Sequence, residues 1–100
     1  MKDYMILMHG DAPDQVAAHD PERWERYIGW LQDSGQFDGG SSIGAGERLK
    51  KGQASVVVAD ELNGFIRIRA QNAEAVRALL VGNPVYEAGG TVDIRELPRT

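Results

Sequence analysis

The first apolar segment of the chain is an unbroken run, Tyr4-Met5-Ile6-Leu7-Met8. A strand with one wet face alternates apolar and polar positions, so a continuous run predicts a strand covered on both faces and central in its sheet. Residues 10–19 show no clear period and predict a long loop. After Asp20-Pro21 the period becomes helical: Trp24, Tyr27, Ile28 and Leu31 fall on one stripe at i, i+3, i+4 and i+7. Asp20 suits the N-cap, Pro21 the first helical position and Gly35 the C-terminal stop. Trp30 lies off the stripe, which puts it at the rim of the packed face or against a second chain.

From Phe37 to Gly46 the chain is rich in Gly and Ser, with Ile43 its one clear apolar residue, and predicts a weak, irregular edge strand. Residues 54–59 (ASVVVA) predict a strand and residues 60–64 a turn, in which Asn63-Gly64 favours a tight hairpin. Residues 65–70 (FIRIRA) alternate strictly, as a half-buried strand does. Asn72 caps a second helix with an apolar face of Val76, Leu79 and Leu80. Gly82 ends that helix, and Asn83-Pro84 is expected to prevent its resumption. Residues 91–97 (TVDIREL) form the closing strand.

Two helices for four or five strands, in the order strand–helix–strands–helix–strand, predict an α+β sandwich. Its sheet is mainly antiparallel, with two helices on one face, as in ferredoxin-like folds. One hundred residues are read as a single domain, 1–100. The alternation also sorts the faces. Ile66 and Ile68 oppose Phe65, Arg67 and Arg69, while Val92 and Ile94 oppose Thr91, Asp93 and Arg95. With the apolar sets against the helices, the other face carries Arg67, Arg69, Arg95 and Asp93. That face either meets water or faces a second sheet across a dimer. In the second case its arginines would favour a carboxylate, enolate or phenolate through paired charge-assisted hydrogen bonds.

Hydrophobic residues at 42% and charged residues at 26% describe a globular chain and argue against disorder. Fifteen acidic against 11 basic residues give a net charge of −4. The one compact basic cluster is Arg48, Lys50 and Lys51, read as a solvated turn, so no nucleic-acid partner is expected. Cysteine is absent, which excludes disulfides, thiolate metal sites and cysteine nucleophiles. No run approaches the ~18 apolar residues of a membrane span. With a first strand beginning near Lys2, no signal peptide is expected, and the cytoplasm is the expected compartment.

Two motifs fail on context. Gly40-Ser41-Ser42-Ile43-Gly44 matches the nucleophile elbow G-x-S-x-G, but no helix follows and both histidines precede Ser42. Gly44-Ala45-Gly46 begins like a dinucleotide loop but lacks the third glycine and the helix. No organic cofactor is expected. His9, Asp11, Asp14, His19 and Asp20 have metal-ligand chemistry, but their spacing matches no ligand pattern and Asp20 is already a cap, so no metal site is assigned. His9, at the mouth of the central strand, is the candidate acid–base group. Trp24 and Tyr27 are core or cavity wall.

Nearly the whole chain resembles the YCII-related family, including its DGPF-type branch. The likeness rests on the opening KDYMILMHGD, the helix RWERYIGWLQDSG, the Gly-rich strand after it, and FIRIRAQNAEAVRALLVGNPVYEAGGTVDIREL. The resemblance implies a ferredoxin-like fold that dimerises sheet to sheet into an α/β barrel. It also implies a small-molecule site between the sheet and the first helix. One branch of the family is linked to breakdown of chlorinated aromatics. The better-defined branch carries a His in the first helix and an Asp before the proline of the late turn. Those positions fall here on Trp24 and Asn83, neither of which titrates near neutral pH. Of the DGPF segment, Asp60 and the Gly64-Phe65 junction remain.

Two functions follow as expectations. The first is a dimeric module that binds an anionic or phenolic metabolite through Trp24, Tyr27, Arg67, Arg69, Asn83 and Tyr86, without the family's acid–base pair. The alternative is a cofactor-independent isomerase, lyase or dehalogenase with His9 as acid–base and an arginine at the developing oxyanion. A third, protein-partner role would be anchored by Trp30.

Overall fold

Residues 1–59 and 61–99 are described by a computed structural model; Asp60, part of the DGPF likeness, lies outside the described residues. The elements are β1 (Lys2–His9), α1 (Gln15–Ala18), α2 (Pro21–Ser34), β2 (Phe37–Ser42), β3 (Gly46–Arg48), β4 (Val56–Val58), β5 (Leu62–Ala70), α3 (Ala73–Ala78), α4 (Pro84–Glu87) and β6 (Val92–Leu97). Four strands form one antiparallel sheet in the order β2-β5-β1-β6. That order, with helices after the first and third sheet strands, is the ferredoxin-like α+β sandwich that the element order predicts.

β1 is central, as its apolar run requires, but only one of its faces is sealed. Tyr4, Ile6 and Met8 are buried beneath the helices with Ile66, Ile68, Tyr27, Leu31 and Val76. Met5 and Leu7, pointing the other way, are half-buried, because the chain supplies a single helical layer. The register places Leu7 opposite Phe65 and Asp93, and Met5 opposite Arg67 and Arg95. Those residues therefore share the face away from the helices.

The caps act as read. The Asp20 side chain accepts the Glu22 amide at 3.0 Å, and Gly35 closes α2 at a φ of 74°. Asn72 accepts the Ala75 amide at 2.9 Å to start α3.

Four local expectations are corrected. The predicted long loop contains α1, which Asp14 caps by accepting the Ala17 amide at 3.0 Å. Asn63-Gly64 is not a hairpin turn: β5 already begins at Leu62, and the irregularity sits in the register between Met8 and His9. A residue taken up by a bulge lets Asn and Gly sit inside a strand. Residues 56–58 are a strand, but they pair with β3 in a separate two-stranded ribbon rather than with the main sheet. Finally, Pro84 does not end helical structure. Asn83 accepts the Tyr86 amide at 3.0 Å and Pro84 takes the first position of α4, so the chain restarts a helix.

Candidate functional site

A half-open concavity of about 660 Å³ lies between α2 and the β2–β5 edge of the sheet. α2 contributes Trp24 and Ile28; the sheet contributes Met8, Phe37 and Ile66; Val85 of α4 closes one end. The opposite rim is the Gly- and Ser-rich strand β2 with Ile43, together with Asn63 and Gly64. Gly40 is fixed by this geometry. A Cβ there would lie 2.5 Å from the Phe65 carbonyl oxygen and 3.2 Å from the Ile66 Cα, so β2 can run this close to β5 only without a side chain. That requirement, rather than a nucleophile elbow, explains the first glycine of the G-x-S-x-G match.

Among the described residues, the lining holds no Asp, Glu, Lys or Arg, and His19 is its one titratable group. Its polar character otherwise comes from Ser41, Ser42 and Asn63. The Ser41 hydroxyl donates to the Ser42 carbonyl at 2.9 Å.

Trp24, Tyr27 and Asn83 form one connected support for this wall. The Trp24 indole N–H donates to the Ala18 carbonyl at 2.8 Å, which fixes the ring at the pocket, and Tyr27 packs edge-on against it at 6.0 Å between centroids. The Tyr27 hydroxyl donates to the Leu79 carbonyl at 2.7 Å. Burial pushes the Tyr27 phenol above its ordinary pKa, and the neighbouring Asn83 side chain partly offsets the rise. Asn83 is wholly buried, and its Nδ2 lies 3.5 Å from the Met8 sulfur, directly behind the pocket wall. Of these three, only Trp24 lines the cavity.

The remaining expected site residues are elsewhere. Tyr86 is 49% exposed on α4. His9, Arg67 and Arg69 lie on the sheet face away from the helices. His9 Nε2 is 2.8 Å from an Asp93 carboxylate oxygen at one end of that face. At the other end the arginines already have partners: Arg69 and Arg67 meet Asp38 at 3.3 and 3.9 Å, and Arg69 meets Asp3 at 4.0 Å. Arg99 donates to Asp3 at 3.0 Å, and that bond leads the lowering of the Asp3 pKa. Between them on this face, Met5 is flanked by Arg67 and Arg95, and Leu7 by Phe65 and Asp93.

The polar residues that suggested metal chemistry are engaged in structure. Asp11 accepts the amide and hydroxyl of Thr91, and these bonds hold its carboxyl below the usual range. Asp14 and Asp20 are caps. Among the described residues no group of three or more His, Asp or Glu is placed to hold a metal ion.

His19, considered from the sequence only within an unassigned metal grouping, lines the cavity. Its signal was position: it immediately precedes the cap of the helix that walls the pocket. Trp30, 45% exposed, tilts against Tyr27 and borders a shallower groove with Val81 and Glu87.

No family model matches the chain, and no curated protein matches it in sequence. Among solved structures it is similar to 5-chloro-2-hydroxyhydroquinone dehydrochlorinase from Burkholderia phenoliruptrix AC1100, in complex with 2,5-dihydroxybenzoquinone. The TM-score is 0.58 at 14% identity, over 97% of this chain and 95% of that one. At that identity the likeness is one of fold. Among the described residues, no helix is long and apolar enough to cross a membrane.

Proposed function

We propose that this chain is a divergent YCII-related protein that binds a small phenol-like aromatic between α2 and the sheet. The carrying observation is the cavity itself: about 660 Å³, apolar on most sides, with neutral polar groups on one rim. Ligand sites of this size typically combine apolar walls with a few polar groups that orient the ligand. A carboxylate would find no guanidinium or ammonium there among the described residues, whereas a flat ring with a hydroxyl matches both wall and rim. The fold neighbour's complex with a dihydroxybenzoquinone supports the same ligand chemistry. Trp24 contacts the ligand in this reading, while Tyr27 and Asn83 hold the wall from behind.

Thermal unfolding against a panel of phenols, quinones and aromatic acids tests it. A ligand at 100 times its Kd adds roughly 2.7 kcal/mol, several degrees for a chain of this size. The phenols are expected to raise Tm and Trp24→Ala to abolish the rise, while Arg67→Ala and Arg69→Ala leave it intact. Loss of the rise in the arginine variants alone would move the site to the other sheet face.

One observation favours a second reading, an isomerase-, lyase- or dehalogenase-type enzyme. His9 and Asp93, 2.8 Å apart on the sheet face without helices, have the geometry of an oriented general base. A second copy packed over Met5, Leu7 and Phe65 would enclose that pair. Turnover lost in His9→Ala, with a sedimenting dimer, would select this reading.

A further inference from the structure

We propose that His19 is the proton acceptor of the α2 pocket, taking the hydroxyl proton of a bound phenol at Nε2. The inference rests on the pocket reading above and adds a residue and a step to it. His19 follows α1, and its Nδ1 lies 2.8 Å from the Gln15 carbonyl oxygen. A carbonyl oxygen only accepts, so Nδ1 carries the hydrogen. The neutral ring then has its lone pair on Nε2. The same carbonyl bond orients the ring, as a second group does for the base in many proton-transfer sites.

His19 is an exposed residue at the mouth of the cavity. Among the described residues, no other lining group of the cavity titrates. The nearest charged groups along the chain are engaged: Asp14 caps α1, and Asp20 caps α2 and pairs with Arg23 at 3.5 Å. Trp24, at the position where the resemblance puts the family's helix histidine, spends its N–H on Ala18 and has no basic atom. Among the described lining residues, His19 is then the one with a basic ring nitrogen. In the step, the phenol O–H bond breaks and an Nε2–H bond forms, leaving an imidazolium beside a phenolate.

A chromogenic nitrophenol tests the assignment, because its phenol and phenolate absorb at different wavelengths. Binding is followed separately by quenching of tryptophan fluorescence, at a pH where the free probe is mostly protonated. His19→Gln keeps a donor for the Gln15 carbonyl but provides no comparable base. The expected result is a bound phenolate-to-phenol ratio about tenfold higher in the native protein than in H19Q, equivalent to one pKa unit. Equal ratios in the two proteins, with binding intact, would overturn the role of His19 and leave the pocket reading standing. Absence of quenching in both would overturn the pocket reading and the His19 assignment with it.

Discussion

Single residues carry much of the pocket's geometry. Gly40→Ala forces a methyl against the Phe65 carbonyl, and separating β2 from β5 is expected to cost about 1–3 kcal/mol in denaturant unfolding. Tyr27→Phe leaves the Leu79 carbonyl without its buried donor, with an expected loss of about 1–2 kcal/mol. The titrations have definite signs. Asp3 and Asp11 have lowered folded pKa values, so their contribution is complete above the ordinary aspartate range and is lost as pH falls through the lowered values, below about 4. Asp11→Asn should flatten part of that acid limb in a Tm-against-pH series. Tyr27 has a raised value, so its contribution is complete at neutral pH and falls as pH rises above about 10. Tyr27→Phe should remove that alkaline loss.

At the scale of elements, caps were readable and pairing was not. Asp20, Gly35 and Asn72 act through neighbours within four residues, so their chemistry is written locally. Residues 56–58 read equally well as a strand of any sheet; nothing in three valines specifies β3 as the partner. The outcome is a two-stranded ribbon separate from the main sheet, with Val57 78% exposed. Few buried contacts support such a ribbon, so its amides should exchange with solvent orders of magnitude faster than those of β1 and β5. Val57→Thr should change stability by no more than about 0.5 kcal/mol.

At the scale of the molecule, the helix-free sheet face is the surface on which assembly can be tested. It carries Met5, Leu7 and Phe65, each half-buried, with Arg67, Arg95 and Asp93 beside them. Sedimentation at micromolar concentration is expected to give a dimer. Phe65→Glu should convert it to a monomer with its far-UV circular dichroism unchanged. A native monomer would remove the enclosed-face enzyme reading and leave the α2 pocket untouched, since that pocket is built within one chain.

The sequence by itself determined the α+β class, the central place of β1, the α2 stripe and its caps, and which positions of β5 and β6 face the helices. All of these follow from periods of two or 3.6 residues and from caps that act over one turn. Only the tertiary structure decided that β2 lies against β5, that β4 leaves the sheet, and that Pro84 begins a helix. It also decided that Trp24 meets the cavity while Arg67 and Arg69 face away from it. The cavity gathers residues from Met8 to Val85 across six sheet and helix elements, β1, α1, α2, β2, β5 and α4. No local period encodes such a convergence, because it depends on strand order and on the close approach that Gly40 permits. For the same reason His19, unremarkable in the chain, acquires its place only once α1 and α2 are docked on the sheet.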